Sequence, residues 1–329
     1  MRYNELDQGM NRKTFAAIAL DNKDYPDFEA KLAEAVRWID FAARQGADLI
    51  VLPEALNLYL GDGNPQAMST QKFALDDWQA QTQPLFDSAR RNAVTLTIPL
   101  VVREKGDLVN CFFLISRQGK VLGRYEKRYP TPEELKEGVQ PGRSELIEWE
   151  GIKLGGAICF DCYFPDVFTQ QADAGAQLFL MPSLTPGGGY LNHYAMSLGV
   201  PIAVAYPAYS RIIDLDGREL AGGGYRHETL RFGFGAPVVL ATLNFERAVF
   251  YGNHNQEKIV PLQQAYGAAV SVTFNQENTF FVIESRSSEL TINEVIQRFG
   301  LIRQQEYFRN CAAMFGGSSD GFSAGAANR

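Results

Sequence analysis

The stretch GGAICFDCYFPD, residues 155–166, carries two of the chain's four cysteines, Cys159 and Cys162, with Asp161 between them and Pro165 behind. Two thiols at that spacing support three chemistries: a redox pair, half of a metal site, or one nucleophile beside a passive neighbour. A thioredoxin-like pair opens a helix from its first cysteine, whereas Phe160, Asp161 and the following YFP postpone any helix here to beyond Pro165. A zinc site needs two more ligands, and Cys111, Cys311 and the three histidines stand far off and singly, so no metal is expected. A thiol at a strand end can become a thiolate beside a cation and attack a carbonyl or nitrile carbon. Taken alone, the same cysteine also fits a small buried hydrophobe. His193, His227 and His254 lie in polar, loop-like contexts and read as surface residues, not as a base for the thiol. A carboxylate and an amine remain as activators. Glu54 directly follows the apolar LIVLP, and Lys127 directly follows VLGRYE. A carboxylate straight after a buried strand is costly unless paired or left partly solvated in a cleft. A helix N-terminal acid or a rim residue is the other reading of Glu54.

The elements that must position these residues follow from hydrophobic period. Residues 14–20, TFAAIAL, read as a buried strand, and 27–45 as an amphipathic helix with Leu32, Ala35, Val36, Ile39 and Ala43 on one face. Gly46 closes that helix, and ADLIVLPEA begins the next strand. The order recurs: strand 153–160, a short helix from Pro165, Gly175 as terminator, and strand 176–183. The joints GADLIVLPE and GAQLFLMPS match closely, and two such βαβ-like halves predict an α/β fold with strands buried on both faces. Further strands are expected at VTLTIPLVV, CFFLIS, VLGRYEK, PIAVAYPA, SRIIDL, APVVLATL, AAVSVTF and TFFVIES. In an open α/β sheet, function gathers at the carboxyl ends of strands, where Glu54, Lys127 and Cys159 all fall.

The 329 residues, 46% hydrophobic and 21% charged, are enough for one large domain with a tail. The expected division is 1–285 for the main domain and 286–329 for a helical extension ending in a Gly/Ser-rich, disordered segment. A capping box from Thr291 to Glu294 and a stop at Gly300 bound a helix whose Ile292, Val295, Ile296, Phe299 and Ile302 form an apolar stripe. That stripe points to a homodimer or larger homo-oligomer in which the tail takes part, the alternative being that it packs on its own subunit. A net charge of −7 without a Lys/Arg block argues against nucleic acid and anionic membranes as partners. No apolar run suits a leader or a membrane span, and four scattered cysteines suit reduced thiols, so the expectation is cytoplasmic.

ADLIVLPEA, GRYEKRYPTPEE and GGAICFDCYFPD resemble the Glu, Lys and Cys motifs of the carbon–nitrogen hydrolase family, the nitrilase superfamily, in its order and approximate spacing. Weaker similarity runs from about residue 14 to 250. The resemblance implies a four-layer α-β-β-α sandwich, with two central mixed β-sheets flanked by helices, that dimerises. It also implies a cofactor-free triad: Glu54 as general base, Lys127 facing the tetrahedral oxyanion, and Cys159 forming a thioester. The family's second glutamate, about seven residues after the lysine, falls on Glu134, with Glu133 its neighbouring competitor. The ammonium beside the thiol is expected to lower the thiol's pKa, and the Phe160 amide to join Lys127 at the oxyanion. Tyr59, Tyr163, Phe164 and His193 are the expected substrate-pocket residues. Nitrilases commonly follow the cysteine with Trp-Glu; Phe160-Asp161 is closer to the amidase, carbamoylase and vanin-like branches, so a small amide or carbamoyl substrate is expected. The family's Arg-Ala-x-Glu-Asn pattern is replaced by NHYAMSLGVPIAVAYPA. Nitrile hydrolysis, acyl transfer to an amine, and a non-catalytic scaffold of the same fold are the alternatives.

Overall fold

The computed structural model describes residues 11–21, 25–58, 69–224 and 237–315. Packing divides them into two compact units: 12–196 with 200–243, and 244–315 with 197–199 and residue 11. The expected break at 285/286 lies inside the second unit.

The larger unit is built on two six-stranded mixed sheets. The first contains β1 (Arg12–Ile18), β2 (Leu49–Val51), β3 (Thr95–Glu104), β4 (Asp107–Ile115) and β5 (Val121–Glu126). The second contains β6 (Ile147–Trp149), β7 (Ile152–Gly156), β8 (Leu178–Pro182), β9 (Ile202–Ala205), β10 (Ser210–Ile213) and β11 (Glu219–Gly223). Strand β12 (Val238–Asn244) returns to the first sheet beside β1, giving the orders β12-β1-β2-β3-β4-β5 and β11-β10-β9-β8-β7-β6. In each sheet three neighbouring strands run parallel, β1-β2-β3 and β7-β8-β9, and antiparallel strands extend them. The repeated joint therefore marks two equivalent centres: Gly46 (φ 90°) leads into β2 and Gly175 (φ 97°) into β8.

The sheets pack face to face, β1 against β9 and β10, and β2 against β8 and β9. Phe15 of β1 meets Trp149 of β6 edge-on at 5.7 Å, and the Trp149 indole donates to Thr95 Oγ1 of β3 at 3.0 Å. The fit is close at Gly156, where a Cβ would lie 2.4 Å from the Tyr125 ring of β5. Any side chain there would push the sheets apart, which explains a glycine at the end of a buried strand. Helices Phe28–Arg44 and Gln83–Asn92 bury Leu32, Ala35, Ile39, Ala42, Leu85 and Phe86 against the first sheet. Asp27 starts the former by accepting from the Ala30 N–H at 2.8 Å. Helices Pro165–Asp173 and Gly188–Leu198 meet through stacked Phe168 and Tyr194, and Phe168 packs on Phe179 of β8. This is the expected α-β-β-α sandwich.

Three local expectations change. Strand β7 stops at Gly156, not 160, and a one-turn 3-10 helix, Cys159–Tyr163, starts at the cysteine itself. Pro165 delays the α-helix but not this tighter turn. His193 lies in the helix Gly188–Leu198, not in a loop. Short strands β6 and β11 and the segment Arg247–Tyr251 lack enough alternating residues to stand out in the sequence.

The smaller unit has an antiparallel sheet of order β13-β15-β14, from β13 (Arg247–Tyr251), β14 (Val270–Asn275) and β15 (Phe280–Ser285). Helix Ile292–Phe299 begins with the expected Thr291–Glu294 capping box and ends on left-handed Gly300. Its stripe is covered by its own unit: Ile292 and Val295 are buried with Phe250, Leu262, Phe281 and Ile283, and Ile296 and Phe299 pack against them. The apolar area that pointed to an interface is thus spent on a local core, as the amphipathic pattern of either arrangement is the same. The Gly/Ser-rich segment beyond Phe315 lies outside the described residues.

Candidate active site

Three strand ends and one helix converge on a buried charge cluster. Glu54, three residues past β2, is 2% exposed. Its Oε1 accepts from Lys127 Nζ at 2.9 Å and from Asn110 Nδ2 at 2.8 Å, and its Oε2 from the Leu184 N–H at 3.0 Å. Lys127, immediately after β5, is 1% exposed and reaches Glu134 Oε2 at 2.7 Å with its second contact. Glu134 is held by its own helix: it is the N3 residue of Pro132–Lys136, and its carboxylate accepts the Thr131 N–H at 2.7 Å in a capping box. The neighbouring Glu133 is exposed, so Glu134 is the carboxylate that contacts the lysine.

Cys159 sits at φ 47°, a left-handed conformation costly for a residue with a Cβ, at the first position of its turn. Burial pushes its thiol well above the ordinary range; Glu54 pushes it further, while Lys127 and the Leu184 N–H act in the opposite direction. The expected net lowering by the ammonium does not occur, because burial and the Glu54 carboxylate outweigh it. Burial by itself would lower the Lys127 pKa, but Glu54, Cys159 and Glu134 outweigh it and the net shift is upward. The resting arrangement is therefore a protonated thiol beside the Glu54 side chain and a firmly charged lysine.

Asp161, two residues on, is fully buried and ties the cysteine turn to the lysine loop. It accepts from the Ile158 N–H at 2.9 Å, the Tyr129 N–H at 2.8 Å and the Tyr125 hydroxyl at 2.9 Å. Burial raises its pKa to about 6 against the pull of these donors. Cys162 is fully buried, and burial raises its thiol to about 11, as befits a passive neighbour. Leu184 belongs to a loop fixed by Arg211, whose guanidinium donates to the carbonyls of Pro186 at 3.1 Å and Gly188 at 2.7 Å.

Among the expected pocket residues, Phe164 stacks on Tyr129 at 3.8 Å, and Tyr163 meets Phe160 and Tyr190 edge-on at 5.5 Å each. Tyr163 is 44% exposed, and this aromatic row begins one residue from Cys159. His193 is exposed, with no hydrogen bond or ion pair to Glu54, Lys127, Cys159 or Glu134 among the described residues. Tyr59 lies outside the described residues. Sequence reasoning missed Asn110, Asp161 as a buried hub, and the Leu184 N–H. Only Asn110 carried a signal, a lone amide within the apolar run of β4.

The carbon–nitrogen hydrolase family profile matches residues 14–251. The chain belongs to the carbon–nitrogen hydrolase family. Nitrilase homolog 2 of Dictyostelium discoideum is 29% identical over 184 residues, 51% of this chain and 53% of that protein. Deaminated glutathione amidase of Synechocystis is 29% identical over 194 residues, 52% of this chain and 66% of that protein. The chain thus spans about half to two thirds of the length of these two relatives. Saccharomyces cerevisiae Nit3, a member of branch 10 of the nitrilase superfamily, shares the fold at a TM-score of 0.58 and 21% identity, covering 81% of this chain and 97% of that one. No described helix is long and apolar enough to cross a membrane.

Proposed function

We propose that this family member hydrolyses the C–N bond of a small non-peptide amide or carbamoyl compound through a thioester on Cys159. One observation carries the reading: Lys127 lies buried between Glu54 and Glu134, and both Glu54 and Lys127 act electrostatically on Cys159 in a strained turn. As the sulfur attacks the carbonyl carbon, Glu54 takes the thiol proton, so the thiolate forms only as it is consumed. The Lys127 ammonium and the Phe160 N–H receive the developing oxyanion. Collapse breaks the C–N bond, and the leaving amine takes the proton from Glu54. Water then attacks the thioester, Glu54 accepts its proton, and the carboxylic acid leaves as the thiol is restored. Glu134 orients and charges Lys127 without touching the substrate.

Burying two carboxylates and an ammonium is a poor way to stabilise a fold, and an unreactive scaffold has no use for the strained cysteine beside them. Phe160-Asp161 after the cysteine favours amides over nitriles, and the amidase names among the relatives agree. The protein acts as a homodimer or larger homo-oligomer on this reading. Incubation with a panel of small amides, nitriles and amine acceptors, read by mass spectrometry, tests it. Acylation at Cys159 and release of free acid from amides support it. Activity confined to nitriles, or acyl products formed only with added amines, would replace amide hydrolysis by those reactions, and no adduct or product with any substrate would favour a scaffold.

A further inference from the structure

The residue that links Glu54, Lys127 and Glu134 is one to which the proposed mechanism gives no role. Asn110 of β4 is 2% exposed and donates both hydrogens of its amide to carboxylates, one to Glu54 Oε1 at 2.8 Å and one to Glu134 Oε1 at 2.7 Å. Its backbone carbonyl accepts the Lys127 N–H at 2.8 Å. Among the described residues its side-chain Oδ1 is buried without a hydrogen-bond partner, an arrangement that costs stability. The reversed amide would set that oxygen against a carboxylate, so the two acids dictate the orientation and the bare oxygen is its consequence. A simple packing residue at this place would leave no unpaired acceptor.

We infer that Asn110 is a positioning residue, a neutral clamp that keeps Glu54 and Glu134 ionised on either side of Lys127 so that Glu54 remains ready to accept the Cys159 proton. The inference rests on the proposed role of Glu54 as base. Two carboxylates sharing one ammonium repel each other, and a second cation between them would compete with Lys127 for the oxyanion. An amide supplies one donor to each acid and adds no charge. Hydrogen bonds to a charged group favour its charged form, so loss of the clamp makes protonation of the pair easier.

Asn110→Ala and Asn110→Leu test this, since both remove the donors without adding charge. Two profiles against pH would be recorded for each: kcat/KM on an amide, and the rate of Cys159 alkylation by iodoacetamide, assigned by mass spectrometry. The expected result is an acid limb displaced upward by about one pH unit in both profiles, with kcat lowered about tenfold or more and KM changed by less than about threefold. A role in packing alone would lower the melting temperature and leave the limb where it is, and that result overturns the inference. So does collapse of the fold in both variants, which would assign Asn110 to folding; if only Asn110→Leu fails to fold, Asn110→Ala decides. If wild-type protein turns over no amide while the alkylation limb still moves, the clamp stands and the amidase reading falls.

Discussion

Replacing Lys127 by Met keeps the approximate volume and removes the charge that both Glu54 and Glu134 contact, at 2.9 and 2.7 Å. Two carboxylates then remain in a site whose members are at most 13% exposed as side chains. Breaking a buried ion pair by removing one partner costs about 3–5 kcal/mol. Glu54 keeps the donors of Asn110 and Leu184, and Glu134 keeps those of Asn110 and Thr131, which places the cost near the lower figure. At about 2–4 °C per kcal/mol for a large domain, the melting temperature at pH 7.5 should fall by roughly 6–12 °C. The deficit must depend on pH. Protons neutralise the orphaned acids, and a carboxyl that binds its proton more tightly folded than unfolded stabilises the fold at low pH and loses that contribution as pH rises. The variant should therefore lie closer to wild type at pH 5.5 than at pH 7.5, and adding Glu134→Gln should recover part of the loss at pH 7.5. Activity should fall by about 100-fold or more, as for loss of an oxyanion donor. Thermal melts by circular dichroism at the two pH values provide the assay. Equal deficits at both, or no recovery from Glu134→Gln, would refute the view that Lys127 neutralises two ionised carboxylates.

Cys159→Ser and Cys159→Ala should abolish turnover, whereas Cys162→Ser should retain most of it; comparable losses from both cysteines in a steady-state assay would revive a redox pair. Asp161→Asn should lower stability by at most about 3 kcal/mol at pH 7.5. Relief of a carboxyl raised from 3.8 to about 6 returns roughly 3 kcal/mol, but at least two buried polar groups lose partners at about 1–3 kcal/mol each. Wild type should gain stability from this group as pH falls from about 6 toward 4, and denaturant melts of the variant should lack that gain. Truncation after Glu284 removes Ile292, Val295 and Leu301 from the core of the smaller unit, so limited proteolysis should show residues 244–284 becoming cleavable.

The sequence by itself determined the strands and the chemistry they carry. Apolar runs opened by Gly46 and Gly175 marked the parallel centres of both sheets, and the three motifs pointed to Glu54, Lys127 and Cys159, because strand period and turn residues are local properties. Local signals also gave the Thr291 cap and its helix. Tertiary structure alone decided what surrounds each charge. Asn110 reaches Glu54 across 56 positions and Leu184 reaches it across 130, so neither contact leaves a mark in sequence spacing. The thiol's upward shift arises from burial and from the nearby Glu54 carboxylate, neither of which is visible when the residues are read singly. The stripe on Ile292–Phe299 has the same pattern whether it meets another subunit or its own sheet, and only packing against Phe281 and Ile283 settled which.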